Sequence, residues 1–246
     1  AEFPHAYTDF VSYKEEFQKL PQEVRQAGLV TAKKRLDLRF SGQVAVDMPY
    51  STKSAYSQVS QALGTQIVQN SRLKVLVAIH DFFDSPHSYG NNFYPDFYIW
   101  LYRLNELSLD LDYDWYIKTH PDIQGPGNSV LSEFIEQSNG FRLIPSNTSH
   151  HDLIRDGIDC VLTVFGTIAM EYPYLGRTVV NASRSNPHVA YNFSVTPSDK
   201  SHYEEIIRNL EQYCSIEVNK EEILEYYYMH NIHWEIVVLE VIFHET

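Results

Sequence analysis

Residues 160–171 read CVLTVFGTIAME, and this stretch decides the fold class. An apolar run, 160–164, is followed by Gly166 and Thr167 and then by a segment with helical spacing that contains Glu171. An apolar strand, a polar turn and an amphipathic helix, in that order, are typical of the repeating unit of a parallel α/β sheet. The stretch therefore predicts a strand that places Gly166 and Thr167 at the carboxyl ends of the parallel strands, where such folds bind ligands.

The same alternation continues on both sides of this stretch from Leu73 onward. It predicts strands at 74–79, 115–118, 141–144, 160–164 and 178–181, and helices at 95–109, 129–138, 152–156, 167–175, 201–213 and 220–230. The segment 234–243 fits either a strand or an extension of the last helix. Residues 5–41 have helical spacing interrupted by Pro21. We expect an α/β fold, with a helical extension and connecting region in residues 1–70 and a Rossmann-like parallel sheet in residues 71–246.

Composition narrows the class of protein. The chain of 246 residues has 19 basic and 32 acidic side chains and a formal charge of -13, without a basic stripe, so nucleic acid is not expected as a partner. No apolar run reaches the roughly 20 residues that span a bilayer, so we expect no direct membrane anchor and a cytoplasmic protein that meets the inner membrane only through partners. Cys160 and Cys214 fit no metal-ligand spacing and are expected to be free, buried thiols.

Polar residues follow four of the predicted strands, at the edge where parallel sheets bind ligands. At the fourth strand, Gly166 allows close backbone approach to a phosphate, and the first amides of the next helix and the Thr167 hydroxyl are possible donors. Glu171 lies four residues later on the same helical face, where it could accept from ribose hydroxyls. An ordinary turn with Thr167 as helix cap explains the same residues equally well.

His120 follows the second predicted strand, and Pro121 fixes the turn after it. An imidazole at this place can donate to a phosphate or satisfy loop carbonyls. Asp81 and Asp84 follow the first strand; each could act as a nucleophile, as a general base or as a loop cap, and Asp84 is favoured because it is farther from the strand. The cluster of His80, Asp81, Asp84 and His87 has no zinc-site spacing, so no metal is expected.

The runs WYIKTHP (115–121) and VLTVFGTIAMEYPYLGRTVV (161–180) resemble bacterial capsule and lipopolysaccharide glycosyltransferases. The resemblance is to the capsular polysaccharide synthesis proteins that include the retaining β-Kdo transferases, where Kdo is 3-deoxy-manno-octulosonic acid. It implies a GT-B-like fold, CMP-Kdo as donor substrate, no further cofactor and a glycan acceptor. It also implies roles for two sets of residues. The donor would be contacted by His120, Pro121, Thr148, Ser149, Gly166, Thr167, Glu171 and His188. Asp84, within the segment 80–84, would be the nucleophile.

The chain departs from that family in one respect. A GT-B enzyme has two Rossmann-like domains, whereas strand–helix alternation is evident here only after residue 70. An acceptor-binding domain is therefore absent, reduced, or supplied by another segment or partner chain. Two alternatives to the Kdo transferase stay open: a GT-B transferase with another nucleotide-sugar or polyol-phosphate donor, and a non-catalytic nucleotide-sugar-binding domain of a larger assembly.

Overall fold

The computed structural model describes residues 10–47, 51–57, 67–80, 82, 90, 92–119, 126–138, 140–214 and 217–233. Within them, a five-stranded parallel sheet has the order β3-β2-β1-β4-β5. The strands are β1 (Lys74–Ile79), β2 (Asp114–Thr119), β3 (Phe141–Ile144), β4 (Cys160–Thr163) and β5 (Thr178–Asn181). The prediction of an α/β fold with a Rossmann-like parallel sheet is confirmed.

Eight α-helices are found in the described part of the chain. They are α1 (Tyr13–Lys19), α2 (Gln22–Phe40), α3 (Phe97–Asp110), α4 (Pro126–Gln137), α5 (His150–Arg155), α6 (Ile168–Tyr174), α7 (Lys200–Arg208) and α8 (Lys220–Tyr228). A 3-10 turn (Leu210–Gln212) follows α7, and a π-helical turn (Met229–His233) follows α8. The segment 234–243 lies outside the described residues.

Side-chain caps begin several of these helices. Asp96 accepts a hydrogen bond from the backbone N–H of Ile99 (2.7 Å) at the start of α3, and Asp199 accepts from His202 N–H (2.9 Å) at the start of α7. Such a cap satisfies one of the free amides of the first turn and contributes about 1 kcal/mol. Ser149 caps α5 in the same way, so this helix begins at His150 rather than at the predicted residue 152.

The strand bounds differ little from the predicted ones. The largest difference is at β2, which begins at Asp114 because that carboxylate is buried and paired: it accepts from Arg142 Nη1 (2.9 Å) and Asn70 Nδ2 (2.7 Å). A charged residue at the start of a strand carries no apolar signal in the sequence, so the pattern placed the start one residue later.

Both faces of the sheet are covered. Alternate side chains of β1 point to opposite faces: Val75 and Val77 pack with Trp100 of α3, and Leu76 packs with Tyr172 of α6. Burial of both faces explains why the parallel strands are almost continuously apolar. Cys160 is buried and Cys214 half-buried, and both are free thiols.

Helices from the two ends of the described chain pack together in a third cluster, called here the terminal cluster. Its buried core consists of Tyr13, Phe17, Ala32, Leu36, Met170, Tyr191, Phe193, Ile223, Tyr226, Tyr227, Tyr228, Met229 and Ile232. The helical extension before residue 70 thus packs against α8, while the domain boundary itself stays a prediction. None of the helices in the described part of the chain is both long and apolar enough to cross a membrane.

Candidate functional site

The strand order places a crevice between β1 and β4. From β1 the chain runs outward through β2 to β3, then returns to the other side of β1 for β4 and β5. The direction of winding therefore reverses between β1 and β4, which pair directly (Val77 with Leu162). In open parallel sheets, ligands bind outside the carboxyl ends of the strands at such a reversal. The residues that follow β1 and β4 are the first candidates for a site.

His80 follows β1 and lies against the segment that follows β4. Its ring stacks on Phe97 (centroids 4.7 Å apart) and contacts the ring of Phe165 (4.5 Å). Its Nε2 is 3.5 Å from both the backbone nitrogen of Phe165 and Oγ1 of Thr163. Burial lowers the pKa of His80 to about 4, so the imidazole is neutral at neutral pH. The sequence analysis assigned His80 no role apart from the metal cluster that it did not favour.

Gly166 follows β4 with φ of +115°. A Cβ at this position would meet its nearest neighbour, Cε1 of His80, at 3.7 Å, which is an ordinary contact. Backbone conformation rather than lack of space therefore selects glycine here. The turn leaves Gly166 and Thr167 exposed at the mouth of the crevice.

Thr167 occupies the cap position of α6, but its side chain makes no capping hydrogen bond. Its Oγ1 instead accepts from Nη2 of Arg39 at 3.1 Å. No described residue accepts a hydrogen bond from the backbone N–H of Gly166, Thr167 or Ile168. The turn therefore presents backbone donors at the crevice, and the hydroxyl is held from the side of α2.

Glu171 is buried, with 3% of its surface exposed, and faces away from solvent. Its Oε1 accepts from Nε (2.7 Å) and Nη2 (2.5 Å) of Arg39, and its Oε2 accepts from the hydroxyl of Tyr56 (2.8 Å). Burial and the neighbouring carboxylate raise the pKa of Tyr56, which keeps the phenol protonated as a donor. Glu171 thus ties the first turn of α6 to the N-terminal segment. The predicted contact with ribose stays a prediction.

Lys118 places a positive charge near the carboxyl ends of the strands. It lies near the end of β2, beside β1, and is 2% exposed. Its Nζ donates to the carbonyls of Ser146 (2.9 Å) and Thr119 (3.3 Å), and no described carboxylate pairs with it. Burial lowers the pKa of Lys118 to about 8, so it remains mostly charged at neutral pH. An ammonium without a carboxylate partner at a ligand-binding edge favours an anionic ligand.

Thr148 and Ser149 follow β3, the outer strand two places from β1. The Ser149 hydroxyl is buried and accepts from the backbone N–H of His151 (3.3 Å) as the cap of α5. Thr148 is half-buried, and its N–H donates to the carbonyl of Pro145 (2.9 Å). Their predicted contact with the donor stays a prediction.

His188 lies inside the protein rather than at the crevice mouth. It is 2% exposed, its Nε2 is 3.0 Å from the Ser194 hydroxyl, and its ring contacts Phe193 and Tyr226. Burial, followed by the nearby His230, lowers the pKa of His188 to about 3. No hydrogen bond or ring contact joins it to His80, Gly166 or Thr167. Its predicted role in donor binding stays a prediction.

The remaining predicted residues lie outside the described part of the chain: Asp81, Asp84, His120 and Pro121. Their assigned roles stay predictions. Within the described residues, no group of three His, Cys, Asp or Glu side chains could hold a metal ion. The described part of the candidate site therefore consists of His80, Gly166 and Thr167 at the crevice, with Arg39, Tyr56 and Glu171 behind Thr167. Lys118 lies at the carboxyl end of β2, and its ammonium group is hydrogen-bonded to Ser146 after β3.

The sheet order and this crevice define a Rossmann-like α/β protein. No protein-family model matches the chain, and no curated protein does. Among solved structures the chain is similar to KpsC of Thermosulfurimonas dismutans, a beta Kdo 2,4 transferase, with a TM-score of 0.46 and 12% sequence identity. The match covers 81% of this chain and 55% of KpsC. The chain thus spans about half the length of KpsC, and the structural relationship is distant.

Proposed function

We propose that the chain is a glycosyltransferase of surface polysaccharide biosynthesis that transfers Kdo from CMP-Kdo to a glycan acceptor. One observation carries the proposal of a nucleotide-sugar site: His80, Gly166 and Thr167 converge where the sheet reverses between β1 and β4. This is the place at which open parallel sheets bind nucleotides. The choice of donor rests on the sequence resemblance of 115–121 and 161–180 to Kdo transferases.

The crevice suits a phosphate group. The glycine turn permits close backbone approach, and the amides of Gly166, Thr167 and Ile168 can donate to an anion. The charge on Lys118 favours an anion at the same edge. In the proposed mechanism the amides of the Gly166 turn hold the CMP phosphate, which gains negative charge as its bond to the sugar breaks.

The chemical step is assigned to residues in the loops after β1 and β2. The Asp84 carboxylate attacks the anomeric carbon, the bond from that carbon to the phosphate oxygen breaks, and CMP leaves with the electron pair. An acceptor hydroxyl then bonds the same carbon, displaces Asp84 and gives its proton to that carboxylate. Where Asp84 only shields the carbon, the acceptor hydroxyl attacks it directly. His120 donates to the departing phosphate together with the amides of the Gly166 turn. Asp81 is the alternative carboxylate for the same role.

Calorimetric titration with CMP, UDP and GDP tests the proposal. We expect selective binding of CMP that is weakened by His120→Ala and by Thr167→Ala. With CMP-Kdo and a glycan acceptor, His120→Ala should lower turnover about 10²-fold, as the loss of one preorganised donor does. His202→Ala is the matched control, because His202 contacts Ser198 at the start of α7. Wild-type turnover in His120→Ala would remove His120 from the mechanism.

A second candidate is a nucleotide-sugar-binding domain that needs a partner for catalysis. The observation that favours it is that the described residues contain one Rossmann-like sheet, whereas a GT-B enzyme has two. CMP binding without hydrolysis or transfer, even with acceptor present, would support this candidate. Selective binding of UDP or GDP would support a nucleotide site at the crevice but would indicate a donor other than CMP-Kdo.

A further inference from the structure

Arg39 links the N-terminal helices to the crevice. It lies in the last turn of α2, and its side chain is 13% exposed. The residues it contacts, Thr167 and Glu171, are 128 and 132 positions away in the sequence. No pattern in the sequence connects residues so far apart.

The guanidinium contacts two different kinds of acceptor. Nε and Nη2 donate to the buried carboxylate of Glu171, while Nη2 also reaches Oγ1 of the exposed Thr167 at 3.1 Å. Nη1 is 3.7 Å from Oδ2 of Asp47, which leaves the carboxylate of Glu171 as its nearest anion. A planar, rigid fork can make several such contacts at once, which a lysine ammonium on a flexible stem cannot reproduce.

The contact with Thr167 is not needed to neutralise charge, since Glu171 already does so. Its consequence is geometric, because it orients the exposed hydroxyl of Thr167 at the Gly166 turn. Thr167 makes no cap for α6, so Arg39 supplies the hydrogen bond that fixes this side chain. The hydrogen bond from the Tyr56 hydroxyl to Glu171 is a second contact between the N-terminal segment and this part of α6.

We propose that Arg39, at the end of α2, is a positioning residue of the donor crevice and that Tyr56 supports it from behind Thr167. Arg39 acts through Thr167 and does not itself touch the donor. The inference rests on the proposed nucleotide-binding function.

A double-mutant cycle on CMP affinity tests this. We expect Arg39→Lys and Thr167→Val each to weaken CMP binding about tenfold, and the double variant also about tenfold rather than a hundredfold, because the two residues act as one unit. Two independent effects that multiply to a hundredfold would contradict the proposal. Calorimetric titration of the four proteins gives the four dissociation constants.

Two controls separate positioning from stability. Arg103→Lys alters a comparable arginine, which pairs with Glu204 and Glu106 on α7 and α3, and should leave the CMP affinity unchanged. Tyr56→Phe removes the other donor to Glu171 while the contact between Arg39 and Thr167 stays. It should lower the melting temperature and change the CMP affinity less than Arg39→Lys does.

The outcomes distinguish this inference from the proposed function. If the wild-type chain binds none of CMP, UDP and GDP, both the proposed function and the role of Arg39 are wrong. If it binds one of them and Arg39→Lys binds it equally well, only the proposed role of Arg39 is wrong. Loss of a cooperative melting transition in Arg39→Lys would make Arg39 a purely structural residue and overturn the inference as well.

Discussion

Two buried glutamates show how the crevice differs from the terminal cluster. Glu171, beside the crevice, is 3% exposed and accepts hydrogen bonds from Arg39 and Tyr56. Glu225, in α8, is 7% exposed and accepts one from the Tyr191 hydroxyl (3.1 Å). Burial raises the pKa of Glu225, and the Tyr191 hydrogen bond opposes this effect only in part. Beside the crevice a buried charge is paired with a guanidinium, whereas in the terminal cluster loss of hydration dominates.

Two histidines beside the terminal cluster, the buried His188 and the half-buried His230, follow the same rule. Burial lowers the pKa of both His188, to about 3, and His230, to about 4. Both rings are therefore neutral at neutral pH and pack among aromatic side chains such as Tyr226. A buried polar residue therefore belongs to the crevice only when it contacts groups at the carboxyl ends of the strands.

The largest expected loss of stability follows substitution of Glu171. Glu171→Gln leaves the buried guanidinium of Arg39 with only the more distant Asp47, so the free energy of unfolding should fall by about 3 kcal/mol. Glu225→Gln keeps an acceptor for Tyr191 and removes no paired charge, so it should cost about 1 kcal/mol or less. Urea denaturation at pH 7 measures both. Equal losses would show that the two glutamates do not differ in the way described.

The next effect concerns His188 and pH. Its folded pKa of about 3 lies below the usual 6.5, so the unfolded chain binds the extra proton first and stability is lost as the pH falls below about 6.5. Between pH 7 and 4.5, two pKa units correspond to about 3 kcal/mol. The raised pKa of Glu225 acts in the opposite direction, because its folded state takes up a proton more readily.

His188→Gln tests this assignment. We expect the variant to lose about 3 kcal/mol less between pH 7 and 4.5 than the wild type does, because the titrating ring is gone. Urea denaturation at the two pH values measures the difference. An unchanged pH dependence would mean that His188 is not the buried neutral group proposed.

The smallest expected effect on stability compares two glycines. Gly166 at the crevice and Gly176 in the turn before β5 both have positive φ, +115° and +81°. Alanine at either position should cost about 1 kcal/mol of unfolding free energy through backbone strain. Only Gly166→Ala should also weaken CMP binding, by about tenfold, which calorimetric titration can show. Weaker CMP binding in Gly176→Ala to the same extent would remove the distinction.

The sheet was predictable because each strand is an apolar run between polar loops. The strand–turn–helix pattern at 160–171 fixes both the strand and the position of Gly166. The β1–β4 reversal was not visible, because strand order depends on how helices pack on the two faces and not on any local pattern. The candidate site was predicted as the polar loops that follow four strands. The strand order places the loops after β1 and β4 next to each other.

The contacts behind the crevice could not be read from the sequence. Arg39 meets Glu171 because α2 and α6 both pack against α8, and no helical or strand period links two residues that are 132 positions apart. His188 illustrates the reverse case. It follows β5 in the sequence as a site residue would, but the chain folds it under Phe193 and Tyr226.

Hydrogen exchange of the backbone amides, with and without CMP, tests whether a nucleotide binds between β1 and β4. It reports where the nucleotide binds as well as whether it binds. We expect saturating CMP to slow exchange in peptides that cover 164–171 and to leave peptides from α8 and the π-helical turn, 220–233, unchanged. Slower exchange confined to 220–233, or no change anywhere at saturating CMP, would contradict a nucleotide site between β1 and β4.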